Sequence, residues 1–560
     1  MGGFRSRGGT GLDPKGFLSL DSAVLSPDSG VGFRPGQARS RPGAGPEQAR
    51  SRPGAGERER ERERKIPMAT AKPHAYPQRY KIDVISDEQV KAVHQASLDV
   101  LERVGCTTSN DMLLKVLADH GQRVDFEEKR FFLDPAYVEK MVAQIPRNFT
   151  MGARNPENAL KVTGEYSWVS TDGCPAQIID LDTKDRRYSN KQDMSDVAKV
   201  ADALPQVGIL WQSVSANDEI VPVRPMHETH AMFPSTSKHI MQMTACDEFN
   251  ARGLIEMGTA IAGSAESLRE NPIFSNFQCV ISPFHWDGDP VDAMKLFAEH
   301  GIPIGICSMP MMAATAPASV AGLVTLANAE ILSGFTIMQT LVPGSPNFYI
   351  SYASDLDMNS GAMNPAWGPE GLFAECAASA MARFYDVASV KSTMGTGSLQ
   401  SDWTAGVQNS FSAMSSLLVG GDFFTGIGSL HSDSIYSLMG LVLDSEIMEI
   451  MFEWANGYAF DEEALAVGTI EHVGPGGHFL GEDHTLTHMR DFFRSRVMNR
   501  QTWEDWDAAG RPDPRIAAEA EVRRILSEHE PDPLPEDLEK ELDKIMETYE
   551  AEARENEDDD

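Results

Sequence analysis

PIGICSMPMMAATAPASVAGLVTLANAEILSGFTIMQTLVPGSPNFYISY (303–352) reads as a strand, a long helix and a second strand. PIGICSM (303–309) and NFYISY (347–352) are near-continuous apolar runs, the pattern of parallel strands covered on both faces. PASVAGLVTLANAEILSGF (317–335) supplies the crossover helix that a parallel pair needs. The same rhythm runs outward in both directions. Further strands read as GILWQSV (208–214), HIMQMT (239–244), FQCVISPF (277–284), VKSTMG (390–395) and DFFTGIG (422–428). The helices between them include PVDAMKLFAEHG (290–301), PEGLFAECAASAMARFYD (369–386) and AGVQNSFSAMSSLLVGG (405–421). This alternation predicts an α/β fold, a TIM (β/α)8 barrel. Seven strands are clear, and TIMQTL (336–341) is either the eighth or the end of the long helix. A doubly wound open sheet is the rival, but no GxGxxG follows an early strand.

Ala318 to Val342 is long and apolar enough to be tested as a membrane span. It carries Asn328, Glu330 and Gln339 and lacks basic flanks, so a buried helix in a large core is expected. Upstream, SDEQVKAVHQASLDVLERVG (86–105) predicts a helix capped by Ser86 and stopped at Gly105. Residues 162–189 alternate and turn like β hairpins. These elements, 68–205, are expected to pack on a barrel spanning 206–515.

The two ends differ from the rest. Residues 1–67 repeat QARSRPGAG at 37–45 and 48–56, then run into ERERERERK (57–65). Such a segment has too little apolar surface to offset its ordering entropy. We expect a disordered leader or a misplaced start codon, with ordinary sequence opening at Met68. Residues 516–560 form an acidic tail in which Leu534, Leu538, Leu542, Ile545 and Tyr549 mark one apolar helical stripe.

The net charge of −34 argues against a nucleic-acid partner and against docking on anionic lipid. It suits attraction of a small cation. Six cysteines without a CxxC pair make a disulfide framework unexpected and a reducing cytoplasm the default location. The loops after the strands are 281–290, 307–317, 351–370, 392–406 and 426–434. In a barrel they share the C-terminal face. They are rich in Met, Gly, Ser and aromatics, poor in Lys and Arg, and offer no phosphate cradle.

Three motifs carry a family resemblance: SMPMMAATAPASVAGLVTLANAEILSG (308–334), SDLDMNSGAMNPAWGPEG (354–371) and VGPGGHFLGEDHTLTHMR (473–490), the last with Trp503 downstream. The chain from about 80 to 515 resembles the trimethylamine:corrinoid methyltransferase family. The resemblance implies a TIM barrel that moves a methyl group from a methylated amine to a corrinoid (cobalamin) held by a partner protein, with no tightly bound cofactor of its own. Founding members of that family place pyrrolysine in a loop that matches 394–406, near Gly395 or Gly397. No pyrrolysine stands here, so the chain resembles the pyrrolysine-lacking branch, which includes glycine betaine:corrinoid methyltransferase.

The chemistry agrees with that branch. A quaternary ammonium leaves as a neutral amine, so its demethylation needs no general acid and no electrophilic helper. It needs a pocket that positions the cation and excludes water. Such a cation has no N–H and is best held by aromatic faces with a carboxylate nearby. Candidate substrate-binding residues are Phe348, Tyr349, Tyr352, Trp367, Asp357, Glu370 and His431, the histidine as a partner for a betaine carboxylate. Residues two apart on a strand face alike, so Phe348 and Ile350 oppose Tyr349 and Ser351. Glu370 could instead serve the start of its helix. Candidate corrinoid-facing residues are Met309, Thr315, Gly397, His478 and His484, with Thr315 as an N-cap.

HTLTH (484–488) spaces two imidazoles for one helical face, but HExxH is absent, and we expect no metal. Rival readings are a trimethylamine or other methylamine methyltransferase, a metal-dependent barrel enzyme using His478, His484 and His488, and a non-catalytic binder of quaternary amines. A homo-oligomer is expected.

Overall fold

In the computed structural model, which describes residues 71–364 and 368–559, eight parallel strands close into a barrel. They are β1 (Tyr166–Thr171), β2 (Ile209–Trp211), β3 (His239–Gln242), β4 (Phe274–Cys279), β5 (Ile304–Ser308), β6 (Asn347–Ser351), β7 (Ala388–Ser392) and β8 (Phe423–Ile427). Each pairs with the next, and β8 returns to β1 through Phe423 opposite Trp168. The outer ring is α1 (Lys191–Ala203), α2 (Arg224–Ser235), α3 (Glu248–Ala262), α4 (Gly288–Glu299), α5 (Val320–Leu341), α6 (Pro369–Phe384), α7 (Trp403–Val419) and α8 (Leu438–Asn456).

One sequence expectation needs correction, and one open alternative is decided. The first barrel strand is Tyr166–Thr171, so the barrel begins before residue 206. Within the expected 162–189 the hairpin is present, Gln177–Ile179 against Arg186–Tyr188. TIMQTL is not a strand. It is the end of α5, where the Thr336 and Thr340 hydroxyls donate to carbonyls four residues back, Leu332 and Thr336. The readings of residues 1–67 as a leader lie outside the described residues, as does Trp367.

Among the described residues α5 is the one helix long and apolar enough to cross a membrane, and most of it is buried inside the fold. Its polar residues are satisfied there. Asn328 donates to Ser97 and Tyr385 and accepts from Tyr349, Glu330 accepts from Ser282, Ser308 and the Phe284 N–H, and Gln339 bonds Ser345 and Asn347. The acidic tail folds as Glu536–Asp559, with Leu542, Ile545, Met546 and Tyr549 buried and the Tyr549 hydroxyl on Glu256 of α3.

Strand alternation sorts the barrel residues. Trp168, Ile209, Trp211, Met241, Phe277, Cys307, Phe348, Ile350, Val390 and Phe423 form one lumen cluster. The antiparallel pair Phe149–Met151 and Leu160–Val162 closes its lower end, with Phe149 stacked on Phe348 at 6.3 Å. The lower lumen is therefore filled with packed side chains.

Upstream, the expected cap is present: Ser86 and Gln89 form a capping box on the helix Asp87–Arg103. Gly105 ends it at φ 69°, where a Cβ would lie 2.2 Å from the Phe131 carbonyl oxygen. Gly105→Ala is expected to cost more than about 1 kcal/mol, seen as a lower urea midpoint with an unchanged slope.

Candidate active site

At the C-terminal ends of the strands lies a cavity of about 270 Å³. Every barrel strand or the loop after it supplies a wall: Asp172, Gly173 and Cys174 follow β1, Trp211 ends β2, Met243 follows β3, Phe277 is in β4, and Met309 follows β5. Tyr352, Ala353 and Met363 follow β6, Ser392 ends β7, Thr425 is in β8, and Ser432 and Asp433 follow it. Glu375 reaches in from α6. A larger cleft of about 370 Å³, lined by Asp402, Trp403 and Arg515, lies beside α7, away from the strand ends where barrel enzymes do their chemistry.

Three aromatic rings build one side of the cavity. Trp211 stacks near Tyr352, with centroids 6.1 Å apart and planes 19° from parallel. Phe277 meets Trp211 edge-on at 5.0 Å. The Tyr352 hydroxyl is fixed by Thr425 Oγ1 at 3.2 Å. Gly173 lets the backbone lie against the indole, since a Cβ there would come within 2.3 Å of Trp211 Nε1.

Carboxylates build the rest. The Asp172 Oδ1 accepts the Gly173 N–H at 3.0 Å, and its burial beside the Asp433 carboxylate raises it well above the ordinary carboxylate range. Asp433 is held by the Ser429 hydroxyl at 2.8 Å. Glu375 is pushed up to about 7 by burial, against the pull of Lys391 and of the Ser392 and Ala353 N–H groups. Its Oε2 stands 3.6 Å from Lys391 Nζ, and both side chains are 1% exposed. Burial in turn lowers Lys391.

Of the residues proposed from sequence, Tyr352 and Met309 line the cavity. Phe348 does not reach it: it faces the lumen but fills the packed floor against Phe149 and Phe423. Tyr349 points the other way, its hydroxyl donating to Asn328 of α5 at 3.1 Å. Asp357 turns its own loop, accepting the Asn359 and Ser360 N–H groups. Glu370 is exposed in the first turn of α6, and Glu375, five residues on, is the acid that enters the site. His431 is exposed, whereas Ser432 and Asp433 turn inward; all three residues hold positive φ (53°, 52° and 62°), a rare run that reverses the loop.

Thr315 is not the cap of α5. Its hydroxyl accepts the Met311 N–H at 2.8 Å, and Ser319 caps the helix. Gly397 gives its N–H to Gln408 at 3.1 Å and lies outside the cavity lining. His478 is exposed, and His484 faces His488 at 4.3 Å between ring centroids.

The family model for trimethylamine methyltransferase matches residues 52–553. The chain belongs to the trimethylamine methyltransferase family. It is a methyltransferase. It is 29% identical over 467 residues to the trimethylamine methyltransferase MttB of Desulfitobacterium hafniense (strain DSM 10664 / DCB-2), covering 83% of this chain and 94% of that protein. It is also 29% identical over 470 residues to the glycine betaine methyltransferase of D. hafniense (strain Y51), covering 83% and 97%. Among solved structures, the Methanosarcina barkeri monomethylamine methyltransferase superposes with a TM-score of 0.47 at 10% identity, covering 79% of this chain and 88% of that one.

An aromatic wall facing carboxylates suits a methylated ammonium cation. Tetramethylammonium is the simplest probe. Its binding is expected to strengthen as pH rises through about 7, because Glu375 loses its proton there. Calorimetric titration of wild type and Glu375→Gln checks this: the variant's affinity should be weaker and flatter with pH. Trp211→Leu is expected to weaken binding by about 1–2 kcal/mol, roughly 5–30-fold.

Proposed function

We propose that this methyltransferase demethylates a small quaternary ammonium compound, with a corrinoid protein as the methyl acceptor. The observation that carries the reading is the wall of Trp211, Phe277 and Tyr352 set against Asp172, Asp433 and Glu375. Each aromatic face in contact with the cation contributes about 0.5–2 kcal/mol, the upper end where water is excluded. The carboxyl groups of Asp172, Asp433 and Glu375 supply the opposite charge.

A corrinoid in its Co(I) state, presented by the partner, would supply the nucleophile. The work of this chain is to hold one N–methyl bond in line with the open mouth. As that C–N bond breaks, its electron pair goes to nitrogen and the leaving amine is neutral. No side chain has to donate a proton. The neutral amine also loses its attraction to the cage, which favours its release. In the cavity wall Met309 is 43% exposed, an apolar surface suited to a corrin face. We place Met309 and the loops carrying Thr315 and Gly397 on that side, and the reaction in the cytoplasm.

The charge of the cavity favours a donor whose other end is uncharged. Among its described lining residues there is no Arg, Lys or His to receive a carboxylate. A betaine is the second reading. It is favoured by the likeness to a glycine betaine methyltransferase and by the hydroxyls of Ser392, Thr425 and Ser432 in the wall. Its carboxylate would then be hydrogen-bonded, with no ion pair and no part for His431.

A panel of donors with free cob(I)alamin, followed by the loss of the Co(I) absorbance, tests the proposal. Choline-like and tetramethylammonium donors should be consumed faster than betaines, and trimethylamine should not react. Consumption of trimethylamine with every onium compound ignored would overturn it. Binding of onium compounds without any consumption would leave the chain a binder.

A further inference from the structure

Downstream of the barrel, residues 462–488 fold as three short helices, Glu462–Leu465, Val467–Val473 and Asp483–His488, and none of them has a buried residue. Their apolar side chains are largely in solvent: Leu465 is 54% exposed, Val467 58% and Leu486 66%. Hydrophobic burial therefore does little to hold this segment in one shape. Small elements without a core are commonly fixed by a disulfide or a metal. All six cysteines are free, and none stands in this segment.

Three donor groups meet here. Glu463, His484 and His488 each bring one ligand atom, and these atoms lie within 4.8 Å of one another. The two histidines stand at i and i+4 on one helix, and the glutamate comes from the helix two elements earlier. The Glu463 Oε1 and His488 Nε2 are 2.8 Å apart, which an ion pair alone would explain. That pair does not explain His484. Its Nε2 is shut off from water with no hydrogen-bond partner, although a ring nitrogen in that position ordinarily finds one. On its far side His488 turns Nδ1 toward Asp491 Oδ2 at 3.5 Å, the carboxylate–histidine arrangement that orients a metal ligand.

We propose that Glu463, His484 and His488 form a structural zinc site. Two imidazoles and a carboxylate are a borderline donor set, suited to Zn²⁺ and unsuited to Ca²⁺ or Mg²⁺, which take oxygen shells. Zinc bonds at about 2.0–2.2 Å to such atoms would draw the group together around the ion, with water completing the tetrahedron. None of the three residues lines the barrel cavity, so the ion clamps the segment and takes no part in methyl transfer. The missing HExxH is no obstacle to such a site, because a clamp needs no general base between its histidines.

The test uses the full chain, stripped with chelator and titrated with Zn²⁺ alone. About one equivalent per chain should bind, and Ca²⁺ or Mg²⁺ should not compete. His484→Ala and the pair Glu463→Gln/His488→Ala should each lose uptake, while His478→Ala keeps it. Asp491→Asn should weaken affinity by about 10–100-fold. Hydrogen exchange should slow on adding Zn²⁺ in peptides from 458–491 and stay unchanged in the barrel strands. The substituted residues are outside the hydrophobic core, so circular dichroism should match wild type. A stripped wild-type chain that takes up no zinc, or uptake unchanged in the His484 variant, overturns the proposal.

Discussion

Closure of eight parallel strands is the constraint on which the site depends. Once Phe423 of β8 lies beside Trp168 of β1, no strand is free to turn over, and every second residue must enter the lumen. Phe348, Ile350 and Tyr352 then share one side, and Tyr349 is forced outward to Asn328. Depth does the rest. The hairpin beneath the barrel brings Phe149, Met151, Leu160 and Val162 against the lower layer, so Phe348 becomes floor while Tyr352, at the upper end of the same column, becomes wall.

The cavity above that floor combines two features that would be costly alone. Buried carboxylates resist ionisation, and an aromatic cage left empty gains nothing from its ring quadrupoles. A permanent cation removes both penalties together. Lys391 keeps the empty site tolerable, standing behind Glu375 and drawing its charge away from the cavity. The site thus recognises charge and methyl surface together.

Much of the fold was legible because central parallel strands are apolar on both faces and stand between clear helices. β1 was hidden for a physical reason. YSWVST mixes polar and apolar residues, and a hairpin follows it where the other strands are followed by helices. The site was harder. Tyr352 could be placed from its position one step beyond a strand. Glu375 carried a signal, a lone acid among alanines and a cysteine on α6, but Glu330 on α5 carries the same signal and only satisfies hydroxyls and a backbone N–H. Asp433 and His431 were two residues apart in one loop, and only the run of positive φ decides which turns inward. Trp211 and Phe277 looked like core, since the sequence gives no measure of where a packed lumen stops.

The most direct test of the account is the structure of the full chain with tetramethylammonium bound, determined experimentally at saturating concentration. The cation should lie between Trp211, Phe277 and Tyr352, with its open side toward Asp172, Asp433 and Glu375. A cation found instead in the cleft beside Trp403, or an aromatic wall left empty under saturation, would contradict the account.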